Sequence, residues 1–97
     1  MTLTDNDAVI VDENNTITTS YWVWREILGE LTSAALDEPE RAEAKDAMSA
    51  MQTIIVVCRS SRKFQRDAIP LTKRIAVTFN GREWPFMKSI AAQFQAE

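Results

Sequence analysis

The ten residues Ile75-Ala-Val-Thr-Phe-Asn-Gly-Arg-Glu-Trp84 carry the strongest local signal in the chain. Apolar side chains alternate at Ile75, Val77 and Phe79, the period of a half-buried strand, and Asn80-Gly81 is the pair favoured in two-residue type I′ turns. The stretch therefore predicts a strand, a tight turn and a return strand over Arg82-Glu83-Trp84. In that register Phe79 faces Arg82 and Val77 faces Trp84, so Ile75, Val77, Phe79 and Trp84 share one face of the ribbon. Downstream, Pro85 suits the first turn of a final helix, and Phe86, Met87, Ile90, Ala91 and Phe94 follow at helical spacing.

Upstream, Phe64 to Pro70 is basic and irregular, ending in Ile69-Pro70, where proline turns its neighbour away from helix. Before it, Ala44, Ala47, Met48, Met51, Ile54, Ile55 and Cys58 continue one 3.6-residue stripe, which predicts a helix from about Glu38 to Lys63. Thr53 to Cys58 also has strand composition, but the helical period crosses it unbroken. Asp37, Pro39 and Glu40 supply a cap, a first-turn proline and a capping-box acid for this helix. Around Val56 and Val57 it is apolar on nearly every side, so cover is expected on two sides, from this domain or a second subunit.

An earlier helix begins at Tyr21 behind the hydroxyls of Thr18, Thr19 and Ser20. Trp24, Ile27, Leu28, Leu31, Ala34 and Ala35 form its core stripe. Gly29 lies within it at a cost of about 1 kcal/mol relative to alanine. Ala8–Val11 and Thr16–Thr19, separated by the polar Asp12–Asn15, read as a first hairpin. The order is ββααββα: an α+β fold, a small two-layer domain in which two β-hairpins form one sheet against a helical hairpin and a short C-terminal helix. Residues 8–97 form a single domain in this reading, and Met1 to Asp7 a mobile N-terminus.

At 97 residues the chain has room for one core. It is 45% apolar and 26% charged, an ordinary globular composition that excludes disorder throughout. Histidine is absent, which removes the usual neutral-pH proton shuttle, the Ser/His and Cys/His nucleophile pairs and the commonest metal ligand. The single cysteine excludes an intramolecular disulfide and a multi-thiolate zinc site, and suits a reducing compartment. Met1 to Asp7 has neither base nor apolar run, and no stretch approaches the roughly 20 apolar residues of a membrane span. A cytoplasmic setting without membrane contact is the expectation.

The net charge of −3 hides an asymmetry. Residues 1–50 hold three bases against eleven acids, a net of −8, and residues 51–97 hold eight bases against three acids, a net of +5. The halves can attract one another within the molecule or between subunits, or present surfaces of opposite sign. Arg59, Arg62, Lys63 and Arg66 fall on one side of a helix end, where cations suit the dipole. With Lys73, Arg74 and Arg82 they make a basic patch that could meet phosphates or an acidic protein, with Trp84 or Phe64 free to stack on bases.

No catalytic constellation, cofactor motif or metal site is visible. Cys58 sits on the core stripe and reads as a buried thiol. The acids Asp37, Glu38, Glu40, Glu43 and Asp46 read as the solvated start of a helix, and two glycines cannot build a phosphate-binding loop. Met48, Met51 and Met87 read as core filler. Trp22 lies nearly opposite the Trp24 stripe, either covered by the N-terminal hairpin or displayed as an interface anchor.

These features point to a non-catalytic protein-interaction module, such as a small inhibitor, adaptor or assembly subunit, self-associating through its apolar second helix. Its size class includes inhibitors encoded by phages and mobile elements. The expected partner is a protein, met through Trp22, Arg59, Arg62, Lys63, Arg66, Lys73, Arg74, Arg82 and Trp84. The alternative is a nucleic-acid-binding or regulatory protein using the basic C-terminal half.

Overall fold

The computed structural model describes residues 8–62 and 68–95. Met1–Asp7, Lys63, Phe64 and Arg66 lie outside the described residues, so the expectations of a mobile start, a helix reaching Lys63, a stacking Phe64 and phosphate contacts from Lys63 and Arg66 fall there too. In chain order the elements are β1 (Ile10–Val11), β2 (Thr16–Ser20), α1 (Tyr21–Asp37), α2 (Ala42–Ser60), β3 (Arg74–Thr78) and α3 (Trp84–Gln95). The α+β architecture expected from the sequence is present, in the order ββααβα.

The sheet is antiparallel with β2 in the centre, Ile10 opposite Thr18 on one side and Ile17 opposite Val77 on the other. The first hairpin turns on local polar chemistry. Asn14 N–H donates to Asp12 Oδ1 at 2.8 Å, and Asn15 takes the left-handed φ of 56° that asparagine tolerates. Across the sheet, the Thr16 and Thr78 hydroxyl oxygens lie 2.8 Å apart in a hydrogen bond. Ile17, Thr19, Ile75 and Val77 point to the buried face and Ala76 and Thr78 to the exposed one, the alternation read in the sequence.

The return strand at Arg82–Trp84 does not form: Trp84 opens α3 and does not pair across a ribbon with Val77. Asn80 acts as a helix cap. Its Oδ1 accepts the backbone N–H groups of Arg82 and Glu83, each at 3.1 Å, and its carbonyl accepts the Trp84 N–H at 3.1 Å. A type I′ turn needs positive φ at both central residues, and Gly81 does not have it. Asn80 and Glu83 stand in the N-cap and N3 relation of a capping box, ahead of the helical run Phe86, Met87 and Ile90.

Helix α1 starts where β2 ends, and the N–H groups of Tyr21 and Trp22 donate to the carbonyls of Lys73 and Leu71 at 2.8 and 3.0 Å. These backbone partners replace the expected hydroxyl cap, so the Ser20 hydroxyl is buried without a hydrogen bond among the described residues. Trp24 is fully buried, donates from Nε1 to the Ile75 carbonyl at 3.0 Å and packs against Phe79 with ring centroids 6.2 Å apart. It ties α1 to β3 at the centre of the core. Gly29 is merely tolerated, since a Cβ there would meet nothing within 4 Å.

Helix α2 is helical through Thr53–Cys58, but it begins at Ala42 without a side-chain cap. Residues 38–41 form a turn in which Arg41 N–H donates to the Glu38 carbonyl, so Asp37 ends α1 and does not cap α2. Its buried residues are Ala44, Ala47, Ala50, Ile54 and Cys58. Met48 lies about 100° round from that line and is exposed, a correction to its expected place in the core, whereas Met87 is fully buried and Met51 partly so. Val57 packs against the core and Val56 is 61% exposed, so within the described chain α2 is covered on one side only.

Candidate functional site

A depression lies among the three helices, with a volume of about 800 Å³. Its floor is apolar, made by Ala34 of α1, Ala42 of α2 and Pro85, Phe86 and Ile90 of α3. Small alanines on two of the three walls leave the space, and the cap at Asn80 sets the start of α3 beside it. The rim is anionic: Glu30 and Asp37 come from α1, Glu43 and Asp46 from α2, and among the described residues no lysine or arginine lines the groove. Arg82 approaches from outside, with Nε 3.6 Å from Asp46 Oδ1.

One further feature sharpens the negative field. Asp37 is the last residue of α1, whose final turn carries no base, so a carboxylate sits at the negative end of the helix dipole. The exposed pair formed by Arg41 with Glu38 offsets little of this, because solvent and salt screen such pairs. Among the described residues no group of three His, Cys, Asp or Glu side chains is arranged to hold a metal ion. The groove is a charged apolar surface.

The residues singled out in the sequence do not converge there. Arg59 lies in the last turn of α2, Arg62 follows just beyond that helix, and Lys73 Nζ donates to the Ser61 carbonyl at 2.7 Å, which brings these three to one end of the molecule. Arg74 is partly buried and donates from Nη2 to the carbonyls of Ala8 at 3.1 Å and Thr18 at 3.5 Å, so it stitches the sheet. Arg82 stands with Asp46 on the acidic side, so it does not extend the patch.

Trp84 is half-buried against the core. Trp22 is also half-buried, and the surface beside it is shaped by Leu71, Arg25 and Glu26, so the turn before β3 takes the place expected of the N-terminal hairpin. Cys58 is buried in the core, and burial pushes its thiol above the ordinary value while the charge of Arg62 opposes the shift.

The groove residues missed by the sequence reading are Glu30 and the floor formed by Pro85, Phe86 and Ile90. Asp37, Glu43 and Asp46 were visible as a solvated helix start, but only the placement of α3 turns them into a rim. No helix among the described residues is long and apolar enough to cross a membrane. In comparisons with known proteins, no family model matches the sequence, and no curated protein or solved structure matches it significantly.

Proposed function

We propose that the chain is a protein-interaction module without catalytic chemistry of its own, acting as a small inhibitor, adaptor or assembly subunit, with the helical groove as its docking surface. The observation that carries this reading is an apolar floor of Ala34, Phe86 and Ile90 enclosed by the carboxylates of Glu30, Asp37, Glu43 and Asp46. Such a surface offers desolvation at its centre and polar specificity at its edge, the anatomy of a docking site.

The nucleic-acid reading has less support. Its cations are divided: Arg74 is engaged within the sheet, Arg82 faces Asp46, and the groove repels phosphate. A tagged pull-down split into nuclease-treated and untreated halves tests the choice. A stoichiometric protein surviving nuclease supports the interaction module, and nucleic acid alone overturns it.

Self-association is a second part of the proposal and rests on Val56, which projects from α2 at 61% exposure. Light scattering over a dilution series, wild type against Val56→Glu, should show an oligomer that the variant loses. A monomer at high concentration would refute this part alone.

A further inference from the structure

We propose that the occupant of the acidic groove is an amphipathic basic helix of a partner protein, with apolar residues at i, i+3 or i+4 and i+7 and lysine or arginine on its flanks. The inference rests on the interaction-module reading and adds the chemistry of the partner. Three observations select it.

The first is the secondary structure of the walls. Only α1, α2 and α3 supply the lining, so the groove offers no strand edge. A peptide entering it in extended form would bury main-chain N–H and C=O groups without partners, whereas a helix satisfies its own.

The second is length. From Glu30 to Asp37 along α1 is about 10 Å and from Pro85 to Gln93 along α3 about 12 Å, at 1.5 Å of rise per residue. Two turns of helix span about 11 Å and present one i, i+4, i+7 face.

The third is charge. Carboxylates stand on both the α1 and α2 walls, with no base among the described lining residues, and the neighbouring Arg82 and Arg41 are both largely solvent-exposed. Asp37 is placed against the α1 dipole, an arrangement unfavourable to the free fold and relieved by a cation. The apolar floor explains why the occupant needs an apolar face as well as charge, since a polycation alone would leave the exposed Pro85 and half-buried Phe86 in contact with water.

The test is fluorescence anisotropy with the full chain and a labelled peptide of about 14 residues made only of leucine and lysine, with leucines on one helical face. The controls are a scramble that disperses the leucines and a version with glutamate for lysine. Saturable binding is expected, weakened at least about tenfold by the scramble and abolished by glutamate. It should weaken further between about 50 and about 300 mM salt.

Ser33 and Ser89 line the groove and are exposed, so Ser33→Arg and Ser89→Arg block it without touching the core. Each should reduce affinity at least about tenfold with an unchanged melting temperature. Asp37→Asn with Glu43→Gln should flatten the salt dependence. No saturable binding, equal binding of the scramble, or indifference to both arginine variants overturns the proposal. If the peptide fails while a nuclease-resistant protein is still captured in a groove-dependent way, the interaction module stands and the basic-helix occupant falls. Nuclease-sensitive capture removes both.

Discussion

Glu83 is 1% exposed, accepts a hydrogen bond from the Ser49 hydroxyl, and has its other carboxylate oxygen buried without a partner among the described residues. Removing the only side-chain donor among the described residues should therefore cost more than removing both members. Ser49→Ala is expected to destabilise by about 1–3 kcal/mol, whereas Ser49→Ala with Glu83→Met should recover much of that loss, as read from urea unfolding. Additive losses would contradict the coupling. Cys58 makes a second residue-scale prediction. Burial holds its thiol above the unfolded value of about 8.5, so above that pH the unfolded chain releases the proton first and stability falls. Below it the contribution is constant. Unfolding at rising alkaline pH should show this slope in wild type and lose it in Cys58→Ala. Arg62→Gln should extend the fall to higher pH, because the charge opposing the shift is gone.

Among the elements, the start of α3 is the most informative. If Asn80 caps a helix, Asn80→Ala should cost about 1 kcal/mol. Gly81→Ala should be neutral or stabilising by about 0.4–1 kcal/mol, since φ is not positive and a Cβ would meet nothing within 4 Å. A type I′ turn would reverse that sign, so thermal melts of the two variants check the assignment. The same comparison explains what was legible in the sequence. Helices α1 and α2 and strand β3 declare themselves by periodicity, because each buries one face against one core. Residues 80–84 satisfy two local rules at once: Asn-Gly favours a hairpin, and Asn80 with Glu83 before a helical apolar run favours a cap. The choice belongs to tertiary structure. One edge of β3 is already paired with β2, and Met87 of α3 fills the core. For the same reason the groove was illegible: its rim acids are neighbours in sequence, but most of its floor comes from a helix some forty residues further on.

At the scale of the molecule, part of the charge split becomes spatial. Asp46 and Arg59 are thirteen residues apart on α2, roughly 20 Å along its axis, with the acidic groove near the first and Lys73 and Arg62 near the second. Arg82 with Asp46 joins the acidic and basic halves of the sequence, and the remaining cations described at the far end stay apart from the groove. Two candidate surfaces of opposite sign thus occupy one small molecule, and substitutions at each can be compared in the same fold. The most direct test is a nuclease-treated pull-down comparing wild type, Ser33→Arg with Ser89→Arg, and Arg59→Glu with Arg62→Glu. The groove account predicts that the captured protein disappears with the serine substitutions and survives the charge reversals. Loss with the charge reversals and retention in the serine variant would contradict it.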